Sequence, residues 1–306
     1  MKRTWKIVIA CLVVNVGTTV AWNGFGHMTV AAIAYPLLTP AARQKVSALL
    51  KLNPNYSSWV SGVAAADRDR VAFMVAATWP DAIKSMSGYK DDGETPKGSQ
   101  AGQNIGYADK NQHRYWHFID TPFSPDNTPL HQPIPPNAQT QIVLFRTALA
   151  SSGTSANVQS YDLVWLIHLV GDVHQPLHAT SRFDQTQPNG DQGANLVAIC
   201  AAPCKNELHA YWDDILGTST VPANAQKAAT AIAAPDPAQA SVADEQVWIA
   251  ESFEAAKNSV YVDPIGVGAG PFTPTPAYRA AAQTVADQRM ALAGARLADL
   301  INNALK

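Results

Sequence analysis

Two histidine–aspartate pairs in this chain have the residue types and the spacing of a metal site. His168 and Asp172 lie in WLIHLVGDVHQPLH, and His209 and Asp213 lie in NELHAYWDDIL. Residues four apart share a face of a helix, so each pair sets an imidazole beside a carboxylate among apolar neighbours. Nitrogen and carboxylate ligands suit Zn²⁺. A buried hydrogen bond or a surface ion pair would explain one such pair, but the repetition favours metal binding.

Other stretches carry residues of the same types. ATWPDAIK contains Asp81, and RYWHFID contains His117 and Asp120. His178 follows Pro176, the proline that should end the helix of His168 and Asp172. Taken singly each signal is weak. An aspartate after Trp-Pro is often a turn or helix-cap residue, and a histidine in an aromatic run is often simply packed.

Helices have to position these residues, because helical periodicity dominates the chain. The pattern predicts helices over residues 27–37, 40–51, 62–86 with an interruption at Pro80, 137–151, 160–174, 206–217, 224–257 with a break near Pro235 and Pro237, and 276–304. Loops are predicted at 89–113 and 262–275, an extended proline-rich segment at 121–136, and irregular chain at 181–205 with a short β-hairpin around ANLVAIC. Long alternating strands are scarce, so the predicted fold class is all-α, as a single compact multi-helix domain.

The first 21 residues have the pattern of a secretory signal peptide. A basic start, MKRTWK, precedes the apolar run IVIACLVV and the small-residue ending TVA. The run is short for a membrane-spanning helix, which needs about 20 residues, so an uncleaved anchor is the less favoured alternative. Cleavage after Ala21 would make Trp22 the N-terminus of a single domain over 22–306. We expect this mature chain to be secreted or periplasmic, monomeric and not associated with a membrane.

The net charge argues against one kind of binding surface, and the cysteines predict a disulfide. The chain has a formal net charge of −2, and removal of residues 1–21 takes three positive and no negative charges, which leaves −5. A partner bound through a broad basic surface is therefore not expected. Cys200 and Cys204, in CAAPC, are an even count in an exported chain and predict a disulfide that closes a small loop. A metal site at these cysteines is the competing interpretation.

Five motifs in a fixed order resemble those of the S1/P1 nuclease family, trinuclear zinc enzymes that prefer single strands. They are W-x4-H at the mature N-terminus, W-x-D-x-x-[RK], W-H-[FY]-I-D, H-x3-D-x-x-x-P-x-H and N-x-L-H-x-x-W-D. The resemblance runs from Trp22 to Asp213, about two-thirds of the chain. It implies the all-α fold that zinc-dependent phospholipase C shares with P1 nuclease.

The resemblance implies three zinc ions as cofactors. It assigns one ion to Asp81, His117, His168 and Asp172, a second to His178, His209 and Asp213, and a third to the α-amino nitrogen and carbonyl oxygen of Trp22 with His27 and Asp172. Asp172 would bridge the first and third ions. The third site would form only after cleavage, because an amide nitrogen is a poor zinc ligand and a free α-amine is a good one. The leftover histidines, His113, His131 and His174, are expected to be surface or packing residues.

The resemblance also implies the reaction. The expected activity is zinc-dependent endonucleolytic hydrolysis of single-stranded DNA and RNA, without sequence specificity, to 5′-phosphate products, together with 3′-nucleotidase activity on nucleotides. A hydroxide between two zinc ions, at the site held by Asp81 and Asp172, would attack phosphorus. Lys84 would stabilise charge that develops on the phosphate; the alternative for Lys84 is a solvated helix lysine.

A base-binding site is implied beside the metal ions. Phe118 would stack on the nucleobase and Asp120 would hydrogen-bond its edge, since stacking tolerates any base. Asn195, in DQGAN, would contribute a further base contact. A base must leave the stack of a duplex to reach such a slot, which explains a preference for single strands.

Two alternatives remain open at this point. A zinc-dependent phospholipase C also uses an N-terminal tryptophan, but there the next histidine lies much further along and the last motif is His-x3-Glu. In this chain Trp22 and His27 are five apart, and Asp213 ends the last motif. A non-catalytic exported protein that binds zinc or nucleic acid is the second alternative, and the complete ligand set together with Lys84 argues against it.

Overall fold

The computed structural model describes residues 22–201 and 206–306, and most of the chain is helical. The α-helices of these ranges are α1 (Gly24–Ala34), α2 (Pro40–Leu50), α3 (Tyr56–Trp59), α4 (Arg68–Ala76), α5 (Trp79–Ala82), α6 (Ala138–Ala150), α7 (Ala156–Asp172), α8 (Leu208–Asp213), α9 (Pro222–Ala231), α10 (Pro237–Ala240), α11 (Glu245–Ala255) and α12 (Pro276–Ala304). The predicted all-α class is confirmed. The proposed signal peptide, 1–21, and Cys204 lie outside the described residues, so cleavage and the disulfide with Cys200 stay predictions.

Short segments join these helices. They are the 3-10 turns Tyr35–Leu37, Ala65–Asp67, Gly106–Ala108, Arg114–Trp116 and Pro176–His178, and a π-helical turn, Ala256–Val260, that follows α11 directly. No helix in the described part of the chain is both long and apolar enough to cross a membrane.

Strand structure is minimal. β1 (Pro122–Phe123) pairs in parallel with β2 (Ser181–Arg182), with Pro122 opposite Ser181. The hairpin predicted around ANLVAIC is reduced to an antiparallel bridge between Ala198 and Glu207. Two backbone hydrogen bonds flank this bridge, one joining 199 to 206 at 3.0 Å and one joining 208 to 197 at 2.8 Å.

The central helix is α7, which carries the first histidine–aspartate pair. Its residues 160–172 are all buried, and α1, α2, α5, α6 and α12 pack around it. Trp165 is fully buried and meets Trp116 edge-on at 5.0 Å between ring centroids. Truncation of such a tryptophan to alanine typically costs about 3–5 kcal/mol, so this face of α7 is well fixed.

Two helix boundaries differ from the prediction in ways that matter for the site. The predicted helix over 62–86 starts only at Arg68, and it breaks before α5, a single turn that carries Pro80 near its start. Proline lacks a backbone N–H and is tolerated only in a first helical turn, so Asp81 lies on a separate short helix.

The helix predicted over 27–37 starts earlier, at Gly24. The Asn23 side chain caps it by accepting the backbone N–H groups of Phe25 and Gly26, at 2.9 and 3.1 Å. An asparagine cap satisfies donors that a helix start otherwise leaves unpaired. His27 therefore lies within the first turn of α1, and its position is set by helical geometry.

Candidate metal centre

Four separate parts of the chain bring the first group of ligand-type side chains together. His168 and Asp172 lie on one face at the end of α7, as their spacing predicts. His27 comes from α1, Asp81 from α5, and His117 directly follows the 3-10 turn Arg114–Trp116. His27, His117, His168 and Asp172 are almost completely buried.

Asp172 lies close to all three histidines of this first group. One of its oxygens, Oδ2, lies 3.1 Å from His168 Nε2 and 3.2 Å from His117 Nδ1. The other, Oδ1, lies 3.2 Å from His27 Nε2. The Asp81 carboxylate completes the group at 3.7–3.9 Å from the same three imidazole nitrogens. The two carboxylate oxygens of Asp172 thus face different histidines, an arrangement that permits a bridge between two ions.

The second group consists of His178, His209 and Asp213. The two imidazole Nε2 atoms lie 3.0 Å apart, and His209 Nε2 lies 3.4 Å from Asp213 Oδ2. Gln175 holds the carboxylate by donating from Nε2 to Asp213 Oδ1 at 2.7 Å. Each residue of the group is buried, and their ligand atoms lie within 4.8 Å of one another.

The tautomers of the second group call for a cation between the rings. His178 Nδ1 lies 2.9 Å from the backbone carbonyl oxygen of His117, and His209 Nδ1 lies 2.6 Å from that of Gly193. Each Nδ1 must therefore carry the hydrogen, which leaves a lone pair on each Nε2. Burial lowers the pKa of His178. Burial and the neighbouring His178 ring lower the pKa of His209 to about 3. Both rings therefore stay neutral, and the two Nε2 lone pairs repel each other.

Unpartnered buried atoms indicate that the first group also binds a cation. His27 Nε2, Asp172 Oδ1 and Asp81 Oδ2 are buried, and among the described residues none of them has a hydrogen bond of good geometry, although the first two lie 3.2 Å apart. A buried polar atom without a partner costs about 1–3 kcal/mol, more for a charged group. Both groups therefore fit metal ions with imidazole and carboxylate ligands, and Zn²⁺ prefers this donor set.

Charges around the first group are strongly coupled. Burial alone would raise the pKa of Asp81, but the Lys84 ammonium and the nearby histidines bring it below its usual range. Lys84 Nζ donates to Asp81 Oδ1 at 2.8 Å, and its side chain is only 6% exposed. Lys84 is therefore not a solvated helix lysine. For Asp172 burial is likewise outweighed by the surrounding histidines, and its pKa is well below normal.

Trp22, the expected N-terminal ligand, is buried beside this centre. Its side chain packs so closely on α1 that a Cβ at Gly26 would lie 2.7 Å from Trp22 Cβ. The next residue, Asn23, donates its backbone N–H to the carbonyl oxygen of Asp213 at 3.2 Å. The chain therefore enters α1 next to the end of α8, which carries a ligand-type residue of the second group.

A cleft of about 210 Å³ opens beside the second group. Phe118, Asp120 and Asn195 line it together with His178 and His209. Asn195 donates its side-chain amide to the backbone oxygen of residue 192 at 2.7 Å, which anchors it within the loop. The structure thus brings the three residues expected to contact a base into one cleft beside the second group.

Gly193 shows why the loop before Asn195 has its sequence. Its φ of +60° is in the left-handed region that favours glycine, and an added Cβ would collide with the carbonyl oxygen of Leu177. The same residue offers its own carbonyl to His209 Nδ1. The loop therefore lines the cleft and also orients His209, one of the candidate metal ligands.

None of the remaining histidines belongs to either ligand group. His113 stacks on Trp116 at 3.5 Å between centroids and pairs with Asp109, and His174 is buried against Val170 O and Arg296. His131 is exposed and touches Phe183. The sequence did not predict a role for Gln175, which holds the Asp213 carboxylate, or for Glu94, which lines the cleft. Only the positions of these residues in the fold reveal their roles.

Comparison with known proteins agrees with this geometry. The chain is 26% identical to Endonuclease 3 of Arabidopsis thaliana over 225 residues, which are 70% of this chain and 60% of that protein. It is 25% identical to Endonuclease 5 of the same plant over 224 residues, 70% of this chain and 62% of that protein. The chain thus spans about 60% of the length of the curated relatives it matches. The family S1/P1 Nuclease matches residues 22–306, a range that contains every residue of both ligand groups, and the chain belongs to this family.

Proposed function

We propose that this protein is an exported zinc-dependent nuclease that binds three zinc ions and cleaves single-stranded DNA and RNA to 5′-phosphate products. We include 3′-nucleotidase activity on mononucleotides. The observation that carries the proposal is the joint presence of two buried imidazole–carboxylate groups and an adjoining cleft with Phe118 and Asp120 on its wall. Family membership and the names of the endonuclease relatives support it.

The proposed reaction needs few side chains beyond the ligands. Bound zinc ions supply an activated water nucleophile and positive charge for the phosphate and the leaving oxygen. Asp172 would hold two ions through its two oxygens, because these face different histidines. Lys84 would add a fixed cation beside Asp81, held there by their 2.8 Å ion pair. Such point charges stabilise developing negative charge without a bidentate fork.

The same centre accounts for phosphate binding by an acidic chain. The charge of three zinc ions exceeds that of Asp81, Asp172 and Asp213, so the centre would remain cationic. The phosphate would bind there, and the base of the same nucleotide would enter the cleft against Phe118. A base within a duplex is stacked and paired, so entry is easiest for single strands.

The direct test is metal content together with the chemistry of the products. We expect about three zinc ions per mature chain, and 5′-phosphate ends on fragments of denatured DNA and of RNA. Asp172→Asn should lose metal and nearly all cleavage, whereas Asp299→Asn, an exposed aspartate on α12, should keep both. Fewer than two zinc ions, 3′-phosphate ends, or turnover of choline phospholipid without nucleotide release would contradict the proposal.

A further inference from the structure

The cleft beside the metal centre continues past Phe118 and Asp120 into a second compartment. This compartment has a volume of about 160 Å³, and Phe183 and His131 are among the residues that line it. Glu94 lines both compartments, as do Phe118 and Asp120. Two carboxylates therefore border the space into which a base stacked on Phe118 would extend.

The carboxylate of Asp120 is available to a ligand. No residue that the structure describes forms a hydrogen bond with it, and its pKa is raised to about 7 by burial and by the nearby charges of Asp191 and Glu94. Asp191 is different, because its oxygens accept the backbone N–H groups of Arg182 and Ala194 and the Tyr261 hydroxyl. Burial disfavours the charged form of Asp120, so a ligand that donates two N–H groups would stabilise it.

Glu94 is held in place by the protein. Arg114 NH1 donates to Glu94 Oε1 at 3.0 Å, and the same guanidinium lies 3.4 Å from Asp91. The Arg114 side chain is itself mostly buried, 13% exposed, whereas Glu94 is 40% exposed. This contact fixes one carboxylate oxygen of Glu94 and leaves the carboxylate at the cleft wall as an acceptor.

Hydrogen-bond donors on the base must match these acceptors. Guanine places N1–H and the N2 amino group side by side, so one carboxylate can accept from both, and the second amino hydrogen remains for another acceptor. Adenine and cytosine set a single amino group beside a ring nitrogen acceptor, and uracil has one N–H between two carbonyls. When Asp120 is ionised, as it is above pH 7, an acceptor in those bases would face a carboxylate oxygen, which is repulsive.

We propose that Asp120 and Glu94 make the base site prefer guanine, with Asp120 accepting N1–H and one N2 hydrogen and Glu94 accepting the other N2 hydrogen. This inference rests on the proposed function, since it concerns the nucleotide held at the metal centre. It describes a preference at one nucleotide and is compatible with cleavage of all sequences. Glu94 becomes a specificity-determining residue that no sequence motif marked.

The test compares guanosine and inosine 5′-monophosphates, which differ only in the N2 amino group. We expect the zinc-loaded mature protein to bind the guanosine nucleotide about tenfold more tightly than inosine or adenosine monophosphate, as measured by calorimetry. Glu94→Ala should reduce the guanosine-to-inosine ratio to about threefold or less. Glu254→Ala, an exposed glutamate paired with Lys257, is the matched control and should leave the ratio unchanged.

Two results would overturn the inference. One is equal affinity for guanosine and inosine nucleotides in the unaltered protein, which needs no variant; the other is an unchanged ratio in a folded Glu94→Ala protein. Cleavage of single-stranded DNA is measured on the same samples. Cleavage without the guanine preference overturns this inference alone, and absence of cleavage overturns the proposed function.

Discussion

Replacement of His209 by asparagine should separate a metal ligand from a packed histidine. The asparagine amide nitrogen can take the place of imidazole Nδ1 and keep the hydrogen bond to Gly193 O, which is 2.6 Å in the native chain. The change removes Nε2, which lies 3.0 Å from His178 Nε2, together with the ring carbon Cε1, and it puts an amide oxygen where the ring has Cδ2. Without metal the variant loses a repulsion between lone pairs, and with metal it loses a ligand.

The expected magnitude follows from ligand linkage. A site that binds zinc at a free concentration a thousandfold above its dissociation constant stabilises the folded protein by about 4 kcal/mol. For a domain of this size 1 kcal/mol shifts the melting temperature by roughly 2–4 °C, so one site accounts for about 10 °C. His209→Asn should melt about 10 °C below the native chain with zinc, and at or above it after chelation.

His174→Asn is the matched control for this experiment. His174 is equally buried, its Nδ1 also bonds a backbone carbonyl, that of Val170 at 2.7 Å, and its Nε2 accepts from Arg296 at 3.0 Å. It should lower the melting temperature equally with and without zinc. The metal-ligand assignment of His209 is refuted if His209→Asn behaves in the same way, with equal losses in calorimetric scans of both forms.

Three further outcomes are expected. One residue added before Trp22 in the mature chain should reduce bound zinc by one ion per chain without altering the circular dichroism spectrum; three bound ions would exclude the α-amine as a ligand. Lys84→Met should destabilise the metal-free protein by about 3 kcal/mol, because buried Asp81 loses its counter-charge. Lys257→Met, at a more exposed pair, should cost less than about 0.5 kcal/mol in urea unfolding, and equal losses would disprove the buried-pair argument. Burial raises the pKa of Asp162 to about 8 in the folded chain, whereas it is about 3.9 in the unfolded chain. Between these two pH values the folded state binds one more proton than the unfolded state. The free energy of unfolding therefore declines as the pH rises through this window. Asp162→Asn should remove that decline and be more stable than the native chain above pH 8 by on the order of 3 kcal/mol, and parallel pH profiles in urea titrations would contradict this.

Much of the helical framework could be predicted because its signals are local. The last helix begins with Pro276 after the capping Thr275 and ends at Ala304, the bounds that the pattern predicts. The pairs at 168/172 and 209/213 share helix faces for the same reason, since spacing by four is a property of one helix. Local signals failed at α4 and α5, where the split around Pro80 places Asp81 on its own turn.

Contacts between distant segments could not be predicted in this way. Gln175 is 38 residues from Asp213 and holds its carboxylate, yet no motif marks it. Glu94 lies in a loop that the sequence shows only as polar, and it becomes part of the cleft because that loop packs beside Phe118. Such contacts depend on how helices and loops pack, and the packing is the sum of many weak interactions across the chain.

The sequence by itself determined the fold class, the helix faces that carry the histidine–aspartate pairs, and the motif order that resembles one nuclease family. Only the tertiary structure decided that two imidazole Nε2 atoms face each other at 3.0 Å and that the two oxygens of Asp172 serve different histidines. It also decided that two carboxylates border one cleft. The physical reason is that residue types and periodicity act within a segment, whereas burial, tautomer and charge coupling arise only when segments meet.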